Sequence, residues 1–370
     1  MNRTGNRRGP AGIYQRMIEI LESGLPAAQL VVLRTEGSAP CPAGTRAIGI
    51  PDGRIEGSIG GGLVEAEALR RVPESVRSDR AMVFDFAMEG RDAEGEQPVC
   101  GGRMRVLVDP LAPRHEAAWR EAADACRSRG RGVLLTAVRA EEKVLTHVRY
   151  VDAADLPAES GFPGCAAMAG ALEAETALWI EEKPGGSPTA EASGVLVEPL
   201  APLPQLLVVG GGHVGQAVAW QADRVGFEVT VLDDRPAFAQ PTRFPDRIAV
   251  RCGGIAEGMN RYPMDDCTYV VIVTRGHRHD AEGLASCLGR PSAYVGMISS
   301  RRKAAWMREE FIRSGRATAE QLDCVHAPIG LDIGAVTAPE IAASIVAELI
   351  AVRRGRLPRR PQPGRVPPER

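Results

Sequence analysis

The sequence predicts an α/β protein of two domains: a doubly wound parallel sheet at the C-terminal end, and a mixed α/β domain before it. Three observations predict this. Apolar strand-like runs alternate with helix-like runs from Leu206 to Arg353, a pattern that calls for right-handed βαβ crossovers and helices on both faces of a parallel sheet. Residues 198–205, Glu-Pro-Leu-Ala-Pro-Leu-Pro-Gln, are punctuated by proline in the manner of a linker. The 370 residues leave room for two cores at roughly 100–200 residues per domain. The domains are placed at residues 11–200 and 204–355. Residues 1–10 and 356–370 read as unordered ends, the latter rich in Pro and Arg with little apolar surface to bury.

In the first domain, Ile13–Ser23 carries apolar residues at helical spacing and Gln29–Arg34 is β-rich. Ala47–Ile50 and Ile55–Ile59 flank the turn Pro51-Asp52-Gly53 and read as a hairpin. A helix is expected over Glu65–Arg71 and another over His115–Ser128, with strands at Met82–Phe86, Met104–Val108, Gly132–Arg139 and Ala177–Ile180. Residues 182–194 read as a turn or loop. In the second domain, strands are expected at Leu206–Gly210, Glu228–Asp233, Arg247–Arg251, Thr268–Thr274 and Ala293–Ile298, with a short one ending near His326. Helices are expected at Val214–Val225, Ala281–Leu288, Ser300–Ser314 and Pro339–Arg353.

Charge and composition exclude several classes of partner. A formal net charge of −2 gives no electrostatic reason to bind nucleic acid or an anionic membrane, and 4% aromatic residues make a base-stacking platform improbable. No apolar run approaches the ~20 residues of a membrane span. The polar, basic start from Met1 to Pro10 lacks the apolar stretch of a secretory signal. The eight cysteines are scattered without any Cys-x-x-Cys, which argues against a zinc site or a disulfide framework and for a reducing cytoplasm.

The most informative segment is Leu206-Leu-Val-Val-Gly-Gly-Gly-His-Val-Gly215. It holds Gly-x-Gly-x-x-Gly at Gly210, Gly212 and Gly215, after an apolar strand and at the opening of a helix. Asp233 ends the next strand, where a carboxylate reads a ribose 2′-hydroxyl. This is the pattern of a Rossmann-type dinucleotide site, with a pyrophosphate at the helix N-terminus. Ligands in such folds lie at the C-terminal ends of the strands. Those ends carry Arg275-Gly-His277-Arg-His279-Asp280, Ser299-Ser-Arg301-Arg302-Lys303 and the stretch after His326. Four of the six histidines, His213, His277, His279 and His326, fall at these ends, so a shared anionic ligand is expected there.

Two glycine-bearing segments mark the first domain: Thr35-Glu-Gly37-Ser38-Ala-Pro40-Cys41 and Gly57-Ser-Ile-Gly60-Gly61-Gly62-Leu-Val-Glu65. The second runs from a strand through three glycines into a helix and reads as a backbone nest for an anion. Glu65, in the first turn of that helix, either caps it or faces a ligand. Cys100-Gly101-Gly102 precedes a further strand, and glycine on one side does not by itself make a thiol reactive.

Together these segments resemble the XdhC/CoxI family. The likeness extends through Leu232-Asp-Asp-Arg, Thr274-Arg-Gly-His-x-x-Asp, Tyr294-Val-Gly-Met-Ile-Ser-Ser-Arg-Arg-Lys and His326-Ala-Pro-Ile-Gly-Leu-Asp-Ile-Gly, covering about residues 11 to 353. The resemblance implies an accessory protein for molybdenum hydroxylases such as xanthine dehydrogenase. Such a protein binds the molybdenum cofactor, a molybdopterin with or without a nucleotide, shields it while its sulfido ligand is installed, and delivers it to the apo-enzyme. A cysteine desulfurase is implied as a second partner, and a homodimer is the expected assembly. Members commonly carry Arg where this chain has Cys41. The expected binding residues are Gly37, Ser38, Gly60, Gly61, Gly62, Glu65 and Cys100 in the first domain. In the second they are Gly210, Gly212, His213, Gly215, Asp233, His277, Ser299, Arg301 and His326. An interdomain cleft is a usual place for such a ligand. No metal ligand and no catalytic residue is assigned.

Two other functions fit the glycine loop. An NAD(P)-dependent oxidoreductase would use it for its cofactor, with His277 or His326 as acid or base, although no hydride-transfer constellation is visible in the first domain. A regulatory module that senses a nucleotide would bind without pterin or partner.

Overall fold

A computed structural model of the chain describes residues 10–88, 101–140, 142–156, 165–182 and 193–357. Cys100, the first nine residues, most of the expected loop at 182–194 and residues 358–370 lie outside the described residues. The chain forms two compact units, Met1–Pro202 and Leu203–Arg370. Among the described residues, no helix is long and apolar enough to cross a membrane.

The first unit is built on two antiparallel sheets. One has the order β3-β2-β1-β5-β4, from β1 (Ala28–Glu36), β2 (Arg46–Gly49), β3 (Ile55–Gly57), β4 (Met82–Ala87) and β5 (Arg103–Pro110). The other has the order β7-β6-β9-β8, from β6 (Gly132–Ala140), β7 (Val144–Asp152), β8 (Leu178–Glu181) and β9 (Gly194–Leu200). Period-two alternation explains the layering. On β1, Ala28, Leu30 and Val32 pack on Val64, Ala68 and Val72 of helix α2 (Gly62–Ser78), while Val31 and Leu33 face Val138 and Leu196 of the other sheet. Helix α4 (Cys165–Ala174) covers the far face of that second sheet through Met168 and Leu172. Helices α1 (Pro10–Glu22) and α3 (Glu116–Arg127) share a further cluster with Ile48, Leu134 and Leu200. The β2–β3 hairpin stands where the Pro51-Asp52-Gly53 turn predicts it.

Three elements depart from the sequence reading. β7 alternates exposed and more buried positions, and α4 is an Ala-rich segment with weak periodicity. β9 occupies part of the expected linker: Glu198-Pro199-Leu200 is strand, paired to β6. Pro199 is tolerated there because β8 pairs only with Gly194–Val197, so no ladder on that side needs its missing N–H.

The second unit is a parallel six-stranded sheet in the order β12-β11-β10-β13-β14-β15, with the helices on its two faces. Its strands are β10 (Gln205–Val209), β11 (Glu228–Asp233), β12 (Ala249–Cys252), β13 (Thr268–Ile272), β14 (Tyr294–Met297) and β15 (Val325–His326). The doubly wound fold expected from the sequence is therefore the one observed. Leu206 and Val208 turn to α5 (His213–Arg224) and α10 (Ala338–Arg353), packing on Val218, Ala222 and Ile345. Leu207 and Val209 turn to the opposite face, where α6 (Ile255–Asn260), α7 (His277–Cys287) and α8 (Arg301–Arg313) supply Met259, Leu284 and Phe311. Helices α6 and α9 (Ala319–Asp323) span six and five residues, too few for a periodic signal in the sequence. The strand order reverses between β10 and β13, which places a crevice over their C-terminal ends.

Candidate functional site

At that reversal the chain leaves β10 through the glycine loop. Gly210 has φ +111°, and a Cβ on it would stand 2.5 Å from the Val273 carbonyl oxygen of the strand's neighbour. Gly215 lets α5 lie against the loop, since a Cβ there would fall 1.7 Å from the Gly210 carbonyl oxygen. Gly212 differs from both. Its φ of −65° suits any residue, and the nearest atom to an added Cβ is Arg235 Nη2 at 4.0 Å. Among the described residues, nothing requires glycine at 212. It is the N-cap of α5, no side chain caps that helix, and its backbone faces open space.

Asp233 is where the spacing puts it, at the end of β11, but its carboxylate is turned inward. It accepts from Gly211 N at 2.7 Å, from the Arg235 backbone N at 2.9 Å, and from Arg235 Nε and Nη2 at 2.9 Å each. Burial works to raise this carboxyl, and the bonds from Arg235 and Gly211 outweigh it, holding it below the usual carboxylate range. Asp233 thus braces the glycine loop rather than offering itself to a ribose. Arg243 supports the same loop from beneath, donating to the carbonyls of Gly211 at 2.7 Å and Phe238 at 2.8 Å. Sequence reasoning missed Arg235 as a partner of Asp233, and it missed Arg243 and Phe238 altogether. The Leu-Asp-Asp-Arg run carried the only signal.

The other strand ends are divided between exposed and engaged groups. His213 and His277 begin α5 and α7 and are exposed, the latter edge-on to Trp306 at 6.2 Å. His279 lies against Glu282 at 3.4 Å and Asp234 at 3.8 Å. His326 is buried, bonded through Nδ1 to Glu348 and tilted over the Tyr294 ring at 4.4 Å. It lies inside the fold rather than on the rim, so the four histidines do not converge on one ligand. Ser299 holds a shielded hydroxyl with no hydrogen bond among the described residues. Arg301, the first residue of α8, is 88% exposed and 3.6 Å from Asp332. Below it, Lys303 is paired with the buried Asp280, which also accepts from Thr274 Oγ1 at 2.5 Å.

In the first unit the glycine signatures meet at one end of the five-stranded sheet, where β1 finishes and β5 begins. Ser38 forms a parallel bridge with Gly101, and a Cβ on Gly102 would lie 2.5 Å from the Ser38 carbonyl oxygen. Gly37 has φ +65° and backs onto the same glycine pair. A Cβ on Gly60 would strike Pro40 at 2.6 Å. Gly60, Gly61 and Gly62 all have positive φ, and the space above Gly61 and Gly62 is open. The nest is already served from within: Glu65 Oε1 accepts from Ser58 Oγ at 2.6 Å, Gly61 N at 2.9 Å and Ile59 N at 3.0 Å. Partial burial works to raise Glu65, and these three bonds hold it below its ordinary value. Of the two roles open to Glu65, the geometry shows the one that closes its own loop. Cys41 donates its thiol to the Ile59 carbonyl at 3.1 Å, and burial pushes its pKa up, so it stands as a protonated thiol. Among the described residues, no group of three or more His, Cys, Asp or Glu side chains is placed to hold a metal ion.

Known proteins with matching sequence or fold agree with this architecture. Residues 206–349 match the family described as XdhC Rossmann domain, and residues 20–87 match the XdhC and CoxI family. The chain is 32% identical over 172 residues to an uncharacterized Escherichia coli protein, YqeB, a match that covers 45% of this chain and 31% of that protein's length. It is 23% identical over 346 residues to a Bacillus subtilis protein described as a probable xanthine dehydrogenase subunit, covering 93% and 98% of the two chains. The fold superimposes with a TM-score of 0.73 on a Bacillus halodurans protein described as a xanthine dehydrogenase, at 18% identity, over 95% of this chain and 97% of that one.

Proposed function

The chain belongs to the XdhC and CoxI family, and on that premise we propose that it is an accessory protein that binds the molybdenum cofactor and delivers it to a molybdenum hydroxylase such as xanthine dehydrogenase. The observation that carries this reading is Gly212. A glycine that the fold does not need, at an uncapped helix N-terminus above the strand reversal, leaves a backbone surface where a phosphate or pyrophosphate can approach the first amides of α5. Molybdopterin carries such a phosphate, with or without a nucleotide. Its dithiolene already holds the metal, so a carrier has no need of a protein ligand set. Support from the first unit is weaker, because Glu65 fills part of the Gly60–Gly62 nest, but the open face of Gly61 and Gly62 remains a second surface free of side chains. In this reading the apo-hydroxylase is the partner, a cysteine desulfurase supplies the sulfido sulfur, and the protein acts in the cytoplasm, as a homodimer by the ordinary rule for such chains.

The test is purification without oxygen from cells that make the cofactor, with molybdenum and oxidised-pterin fluorescence measured per chain. Both are expected to co-purify, to be absent from a host that cannot make the cofactor, and to be lost in Gly212→Val while the protein stays folded. Retention of both in a folded Gly212→Val protein rejects the assignment of the loop. The second reading, an NAD(P)-dependent oxidoreductase, draws on the same strand order and predicts bound NAD(P) without pterin.

A further inference from the structure

The corner of the second unit formed by Asp233, Arg235, Phe238 and Arg243 points to what the glycine loop selects. A carboxylate offers about four acceptor positions. Asp233 is 1% exposed, and its four hydrogen bonds all come from Gly211 and Arg235. A ribose diol that needs this carboxylate as acceptor finds it occupied. Outside it stands Arg235, its side chain 21% exposed and its guanidinium carbon 3.7 Å from the Phe238 ring centroid. The stacking fixes the guanidinium plane. Nε and Nη2 serve Asp233, and Nη2 also lies 4.0 Å from where a Cβ on Gly212 would stand, so the guanidinium flanks the glycine loop.

The charges at this corner do not cancel. Arg235 is paired with Asp233 and lies 3.9 Å from Asp234, which also has Arg275 at 3.7 Å and His279 at 3.8 Å. Among the described residues, Arg243 donates to neutral acceptors, the carbonyls of Gly211 and Phe238 and the Gln216 side chain at 3.1 Å. Among the described residues, the Arg243 guanidinium has no carboxylate within ion-pair distance.

We propose that Arg235, seated on Phe238 and backed by Arg243, makes this a site for a phosphate monoester rather than for a free ribose diol. The proposal rests on the preceding reading of the Gly210–Gly215 loop as a phosphate site, and it names the group read at the loop's flank. Guanidinium groups bind phosphate oxygens through charge-assisted, geometrically fixed donors. Two ligands carry the required group: an adenine dinucleotide with a 2′-phosphate, and molybdopterin with its terminal phosphate.

The test is isothermal titration calorimetry on the full chain with two matched pairs of probes. One pair is NADP+ and NAD+. The other is the oxidised pterin obtained from molybdopterin, before and after phosphatase treatment. The phosphate-bearing member of at least one pair is expected to bind at least about tenfold more tightly, a ratio that collapses to within about twofold in Arg235→Met. The pair that shows the preference identifies the source of the phosphate. Because the ratio is taken on one sample, a partly unfolded variant does not obscure it, and Arg235→Lys, which keeps the charge without the fork, should retain part of it. Equal affinities within both pairs, a preference that survives in Arg235→Met, or no binding of any probe by the unmodified protein overturns the proposal. Any of these results with molybdenum co-purification intact rejects Arg235 as the reader and leaves cofactor carriage standing.

Discussion

Lys303 at the start of α8 reaches the carboxylate of Asp280 in the first turn of α7, and this pair ties together the two helices that begin over β13 and β14. Asp280 is fully buried, so removal of its partner strands a charge. Lys303→Met is expected to destabilise the second unit by about 3–5 kcal/mol, the usual cost of an orphaned buried ion. Asp280→Asn, which keeps the bond from Thr274, should cost less. Denaturant titration of the two variants checks the order. Equal, small effects would mean that the pair contributes little.

The glycines of the second unit separate by role. Gly215→Ala places a methyl 1.7 Å from the Gly210 carbonyl oxygen, a contact only movement of the backbone can relieve. It is expected to melt well below the unmodified protein or to fail to fold. Gly212→Ala meets nothing closer than 4.0 Å and should cost no more than about 1 kcal/mol, the effect of a poorer N-cap. Circular dichroism melts of both, read beside pterin retention, distinguish the glycine of the fold from the glycine of the ligand.

Arg46 and Glu198 form a buried bidentate pair between the two sheets of the first unit, joined by Gln29 and Thr136. Arg46→Met alone is expected to cost about 3–5 kcal/mol. Adding Glu198→Leu should recover much of that loss, since the second change removes the stranded carboxylate. A double-mutant cycle measures this. Additive losses would show that the two residues act independently.

His115 gives the protein a pH dependence of known sign. Burial, then the positive charges of Arg114 and neighbours, depress its pKa to about 4 in the folded state. In the unfolded chain it titrates near 6.5, so between these values the unfolded state binds a proton the folded state refuses. Stability from this group is complete above about pH 6.5 and is lost as pH falls toward 4, by up to about 3 kcal/mol. Asp109, in contact at 3.5 Å and raised by burial, contributes with the opposite sign and trims the loss. Melting temperature against pH should therefore fall less steeply over this window in His115→Gln. An unchanged slope refutes the assignment to His115.

Legibility in the sequence followed the range of the forces involved. Gly210, Gly215 and Gly60–Gly62 were readable because backbone conformation and close approach demand glycine at each place, and such demands act within a few residues. The doubly wound sheet was readable because its inner strands β10, β11, β13 and β14 are buried almost throughout. Asp233 was found by spacing, yet its use was not, since nothing in a spacing says that Arg235 turns back onto it. Arg46 and Glu198 lie 152 positions apart, and only the packing of two sheets brings them together. The end of β9, Glu198–Leu200, reads as linker because Pro199 is forbidding in most strands and harmless only beyond the end of β8.

The carboxylate of Glu65 has a consequence for any anion that reaches the first unit. Gly61 and Ile59 do not wait as bare donors; they hold a tethered rival whose local concentration never falls. Occupation of that loop is an exchange of one anion for another, and its affinity is the difference between two attachments. A guest bound on those terms is also easily expelled, because the displaced side chain is always at hand to take the amides back.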